Sequence, residues 1–223
     1  MNQLVTPSFL FRLSIPAVHI PALPRATGRL LDLPEACRLP SLSELDSRRD
    51  FADIRIAWND NGLGISLAVS GKSKKPVSNV ASWPDSDGLS VWIDTRNTQG
   101  VHRATRYCHQ FCLLPIGGKT RNDKPAVIQV PLARAREESA PMDLAQVQLS
   151  SEVDSKGYWL EAWFPASAFV GFDPMASPKL GFHYKVQDRE LGEQSLVIQS
   201  EFPVASDPSL WQTIELVRQN GGK

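Results

Sequence analysis

Apolar and polar residues alternate along much of this chain with a period of two. In Asp87-Gly-Leu-Ser-Val-Trp-Ile-Asp-Thr-Arg96, Leu89, Val91 and Ile93 fall on one side and Ser90, Trp92 and Asp94 on the other. Successive side chains of a β-strand point to opposite faces, so the spacing predicts a strand with an aliphatic face and a face bearing an indole and a carboxylate. Residues 158–164 repeat the pattern, with Trp159, Glu161 and Trp163 opposite Tyr158, Leu160, Ala162 and Phe164. Residues 180–188 repeat it again, Phe182, Tyr184 and Val186 opposing His183, Lys185 and Gln187. The alternating runs 52–58 and 63–69 flank Asn59-Asp-Asn-Gly62 and read as a β-hairpin. Further strands at 126–132, 145–149, 195–200 and 211–217 complete the all-β pattern expected of an antiparallel β-sandwich.

Other stretches are less regular. Residues 102–114 mix charged and apolar side chains; their β-branched, aromatic and Cys content favours a strand stopped by Pro115-Ile-Gly-Gly118. Ile15-Pro-Ala-Val-His-Ile-Pro21 reads as an edge strand, where proline is tolerated. Ser41 and Glu44 have capping-box spacing, which predicts a short helix in 41–49, and Pro165 to Phe169 predicts one helical turn. Residues 72–84 read as a polar loop and 134–138 as a solvated charged one. The reading divides the chain into a Pro-rich arm, 1–50, packed on a sandwich, 51–217.

Composition narrows the functions. Hydrophobic residues make up 42% of the chain, enough for a core, and 17 prolines with 14 glycines suit many turns. Lys+Arg and Asp+Glu are both 24, so the formal charge is zero. Nucleic-acid binders that neutralise phosphates are usually clearly basic, so none is expected here. No apolar run approaches the roughly 20 residues that cross a bilayer, and no membrane association is expected. Residues 1–20 show no basic region ahead of a clean apolar core, so no signal peptide is read and cytoplasmic residence is the expectation. Free thiols agree with that: Cys108 and Cys112 on one strand would lie about 13 Å apart, beyond disulfide reach, leaving Cys37 as the alternative partner.

The order of Ile54-Arg-Ile-Ala-Trp-Asn-Asp-Asn-Gly-Leu-Gly-Ile-Ser66, the Asp87 strand, Gly157-Tyr-Trp-Leu-Glu-Ala-Trp-Phe-Pro165, Leu180-Gly-Phe-His-Tyr-Lys-Val-Gln-Asp188 and Trp211-Gln-Thr-Ile-Glu-Leu216 resembles the family 9 carbohydrate-binding modules and the wider DOMON-like sandwiches. The resemblance covers about residues 51–217. It implies a jelly-roll or DOMON-like sandwich of a mostly non-catalytic kind, whose sugar-binding members clamp a sugar between tryptophans and some of whose members bind haem instead. The runs 102–109 and 188–193 are also similar to those of stand-alone bacterial members.

Candidate ligand-binding residues follow from the decorated faces. Sugars need flat apolar surfaces for their C–H groups and charged groups for their hydroxyls. Trp92, Trp159 and Trp163 supply the first; Asp94, Arg96, Glu161, Lys185, Gln187 and Arg189 supply the second. The same tryptophans would equally suit burial beneath the arm. His102, Arg103, Arg106 and His109 form the densest cationic run, suited to a carboxylate, a phosphate or an acidic sugar. Strand periodicity puts His102 and Arg106 on one face and Arg103 and His109 on the other unless the strand starts late. Arg103, Arg106 or both are expected to be held by Asp94 or by carboxylates of 188–193.

No cofactor is expected. Cys108-His109-x-x-Cys112 is no zinc knuckle, because neighbours in a strand diverge. Asp85-Ser-Asp-Gly88 could open a calcium loop but lacks its later acidic positions, and haem would need His183 or Met175 on a pocket face. No Gly-x-Ser-x-Gly elbow, phosphate loop or His-Glu-x-x-His helix occurs, so no catalytic residue is named; Asp94 with Glu161 is the runner-up, as a glycosidase pair. The reading is therefore non-catalytic binding of a carbohydrate or small anion. A protein-interaction module docking through exposed tryptophans is the alternative.

Overall fold

The computed structural model describes residues 10–117, 123–197 and 202–218. The strands are β1 (Ser14–His19), β2 (Ala52–Asn59), β3 (Gly62–Ser70), β4 (Gly88–Asp94), β5 (Cys108–Leu114), β6 (Ala126–Gln129), β7 (Gln148–Val153), β8 (Gly157–Pro165), β9 (Lys179–Asp188), β10 (Gly192–Ser195) and β11 (Gln212–Val217). One ladder runs β6-β5-β4-β9-β11-β1-β2-β3-β8-β7, with β10 on β9. It folds over along β11, β1 and β2, so its two halves face each other as a sandwich. Phe111 of β5 meets Phe164 of β8 across the interior with ring centroids 4.9 Å apart.

The alternation read from the sequence sets the register. Leu89 lies opposite Val186, Val91 opposite Tyr184 and Ile93 opposite Phe182, all fully buried in one core. A slip of one residue would turn Asp94 and Lys185 inward, at a large cost for buried charge. The β2–β3 hairpin pairs Asn59 with Gly62. Gly62 is required there, because a Cβ would stand 2.1 Å from the Phe164 carbonyl oxygen on β8.

Four expectations are corrected. The strand around Pro16 is internal, running parallel to both β11 and β2. Proline is tolerated because β1 pairs with β2 only at Val18 and His19, leaving Pro16 a partner on β11 alone. The 102–114 strand begins only at Cys108, after a loop. The capping box is absent, since the 3₁₀ turn Ser43–Asp46 starts after Leu42 with no side-chain cap, although Ser41 Oγ does accept the Ser43 N–H. The expected strand 195–200 meets β10 only at Ser195, and its residues 198–200 lie outside the described residues.

The polypeptide before β2 clads the outer face of the β2-β3-β8 half. Leu23, Leu31, Leu33 and Cys37 form a separate apolar cluster with Ala57 of β2 and Trp163 of β8. Full burial of each leucine contributes about 1.5–3 kcal/mol, so this segment is firmly seated.

Candidate functional site

The candidate residues divide between two opposite faces. Trp92, Asp94, His183, Lys185 and Gln187 lie on the outer side of β4 and β9, while Trp159, Glu161 and Trp163 lie on the outer side of β8. The three tryptophans therefore cannot clamp one ligand.

On the first face most candidates are covered. Trp92 is 3% exposed and its ring centroid lies 5.5 Å from that of the fully buried His183. Burial, with a smaller push from Lys185, lowers the His183 pKa to about 3. Trp92 Nε1 and both His183 nitrogens lack hydrogen-bond partners, and the structure offers no account of that. Asp94 accepts the N–H groups of Arg96 (2.9 Å) and Thr98 (2.6 Å), so it shapes a turn. Lys185 is ion-paired to Glu193 at 3.6 Å, and Gln187 is half-buried beside it. Arg189 donates from Nε to the Asp85 carbonyl.

Late initiation of β5 rearranges the cationic run. His109 points into the core opposite Ile93, its Nε2 accepting the Val170 N–H at 3.2 Å. Burial lowers its pKa to about 4. His102, Arg103 and Arg106 are left on a surface loop. Arg103 donates to the carbonyls of Arg134 and Ala135, and Arg106 to the Tyr107 phenol. Neither takes the carboxylates predicted for it.

Two of those carboxylates, Asp188 and Glu190, belong instead to Lys72, which the sequence reading left in a polar loop. Its ammonium lies 2.6 Å from Asp188, 3.3 Å from Asp87 and 3.8 Å from Glu190, with the Lys72, Asp87 and Asp188 side chains no more than 1% exposed. Burial alone would lower the Lys72 pKa; the hydrogen bonds and charges of Asp188 and Asp87 outweigh it and raise the value. Asp87 also accepts the Val77 and Arg189 N–H groups, so the second carboxylate of the Asp85–Gly88 stretch is engaged by donors within the chain. Among the described residues no group of three or more His, Cys, Asp or Glu is arranged to hold a metal ion, and Met175 is exposed.

His102, Asp207 and Ser209 come together on the surface, yet not as a catalytic triad. The Asp207 carboxylate and the Ser209 hydroxyl both lie 3.1 Å from Nδ1 of the imidazole, and Ser209 Oγ donates to Asp207 at 2.6 Å. A triad needs the nucleophile and the orienting carboxylate on different imidazole nitrogens.

On the second face the arm decides. Glu161 accepts the backbone N–H groups of Leu31 (3.1 Å) and Asp32 (2.9 Å), and Trp163, 3% exposed, packs with Leu31. These two are fastenings for the arm. Trp159 is only half-buried and lines a groove of about 430 Å³ with Arg29, Ser70, Glu152, Asp154 and Tyr158. The Arg29 guanidinium lies 4.3 Å over its ring and 3.1 Å from Glu152. The Trp159 N–H has no acceptor. The groove thus presents an indole, one cation and two carboxylates, the groups a sugar ring requires. Of these, only Trp159 was among the predicted site residues. Glu152 was within reach of inspection, since it pairs across the ladder with Trp159, but Arg29 approaches from a segment with no strand register to place it.

A depression of about 240 Å³ within residues 129–141 has only Glu137 and Glu138 as charges and no aromatic ring, so it offers no stacking surface.

Compared by sequence, the chain matches no family model and none of the curated proteins. Its fold is that of the family 9 carbohydrate-binding modules. A family 9 module from Caldicellulosiruptor kristjanssonii in complex with cellotriose superposes with a TM-score of 0.61 at 12% identity, covering 94% of this chain and 96% of that one. One from the same organism in complex with glucose gives 0.54 at 15% identity, covering 77% and 79%. A candidate carbohydrate-binding protein from Bacteroides uniformis gives 0.59 at 12% identity, covering 93% and 100%.

Proposed function

We propose that this chain is a non-catalytic carbohydrate-binding domain whose sugar lies in the Trp159 groove. The observation that carries the reading is a half-buried indole lining a groove of about 430 Å³ rimmed by Arg29, Glu152 and Asp154. A groove of that size suits a small ligand. The bound glucose and cellotriose of the two structural neighbours support a neutral sugar as the ligand class. Docking of a protein through tryptophans is less well supported, because Trp58, Trp92, Trp163 and Trp211 are buried.

Isothermal titration with glucose and cellotriose tests the reading. The parent should bind at least one of them, and Trp159→Ala should remove the binding while melting close to the parent. Absence of heat with both sugars, or unchanged binding by Trp159→Ala, would overturn it.

A further inference from the structure

At the opposite end of β8 from the groove, two guanidinium groups gather on one phenol. Asp94 fixes the turn after β4 through the N–H groups of Arg96 and Thr98, and the Tyr107 carbonyl accepts the Thr95 N–H at 3.1 Å. Arg96 and Tyr107 are thereby presented side by side from two loops. The guanidinium carbon of Arg96 lies 4.8 Å from the Tyr107 ring centroid and that of Arg106 lies 5.1 Å from it. Arg106 also donates to the phenol oxygen at 3.1 Å. Gly171 backs the ring: its φ is +78°, and a Cβ would meet Tyr107 Cδ1 at 2.9 Å.

We propose that Arg96, Tyr107 and Arg106 form a second binding site, for a carboxylate of the kind carried by an acidic sugar. Among the described residues neither guanidinium has an ion-pair partner within contact distance; Glu137 acts on Arg106 only through space. Two cations held on one ring repel each other, and a carboxylate placed between them removes that repulsion. Guanidinium forks match the planar carboxylate in two-point fashion, and the ring supplies an apolar surface for the attached sugar. The hydrogen bond from Arg106, then its charge, already lower the pKa of the Tyr107 phenol below its ordinary value, with a lesser contribution from Arg96. Lys72, by contrast, has its carboxylates in place.

Tyr107 is its own reporter. Tyr158 and Tyr184 are buried and pushed to higher pH, so the first phenolate absorbance step on raising pH belongs to Tyr107. Glucuronate should move that step upward by about half a pH unit or more, since a bound anion offsets the guanidinium charges. Glucose, and sodium chloride at matched ionic strength, should not. The double variant Arg96→Gln/Arg106→Gln should melt like the parent and lose the glucuronate shift, whereas Trp159→Ala should keep it, separating this site from the groove. An unmoved step, an equal shift with glucose or chloride, or a shift surviving in the double variant would overturn the proposal.

Discussion

Trp159 and Trp163 stand on the same face of the same strand and are used differently. Opposite Trp163 on β3 is Gly64, where a Cβ would come within 3.1 Å of the Leu31 methyls, so the missing side chain admits the arm's leucine. Opposite Trp159 is Ala68, and what lies above the ring is the Arg29 guanidinium, ion-paired to an exposed Glu152. A leucine packed on an indole is core. A guanidinium on an indole is a cover that can be lifted, because exposed cation–π contacts are worth about 0.5–1 kcal/mol and surface ion pairs about 0–1. The indoles are alike; the covering side chains decide which one belongs to the fold and which one is open to a ligand.

The largest effect should come from breaking the closed side. Trp163→Ala removes a buried indole from the arm cluster and should lower stability by about 3–5 kcal/mol in denaturant unfolding. A loss below about 1 kcal/mol would mean the arm is not fastened there. Lys72→Met tests the foundation beneath the groove, whose lining residue Tyr158 feels the charges of Asp87 and Asp188. It leaves two buried carboxylates facing no ammonium and should likewise cost about 3–5 kcal/mol at neutral pH.

Acid sharpens the contrast next. His109 and His183 remain neutral in the folded protein down to about pH 4 and 3, whereas unfolded histidines take up protons near 6.5. Below 6.5 the unfolded state binds more protons, so stability falls as pH falls, by about 1.4 kcal/mol per pH unit for each ring. Denaturant midpoints at pH 7 and pH 5 should show the decline, and His109→Phe should reduce its slope by about half. The smallest effect belongs to the open side: Arg29→Ala should change stability by no more than about 1–2 kcal/mol in the same unfolding assay.

Much of this arrangement was legible beforehand, for a definite reason. Strict alternation identifies which side of a strand is aliphatic, so the cores of β4, β8 and β9 could be read directly. Alternation does not say on which half of a sandwich an outer face lies, and Trp92 was therefore grouped with Trp159 although β4 and β8 belong to opposite halves. Long-range contacts were equally hidden. Glu161 looks like a ligand-binding carboxylate until Leu31 and Asp32, some 130 residues earlier, occupy it. Lys72 looks like one more loop lysine until the chain turns it inward to Asp188. The β-rich composition of 102–107 masked the late start of β5, and with it the inward turn of His109.

The most direct test of an open Trp159 beside a closed Trp163 is to follow the indole N–H signals in ¹⁵N-labelled protein, assigned by single Trp→Phe replacements, while cellotriose is added. The Trp159 signal should move in a saturable way, because its half-buried ring lines the groove, while those of the buried Trp163, Trp92 and Trp58 stay in place. Movement of Trp163 or Trp92 with Trp159 unmoved would contradict the account.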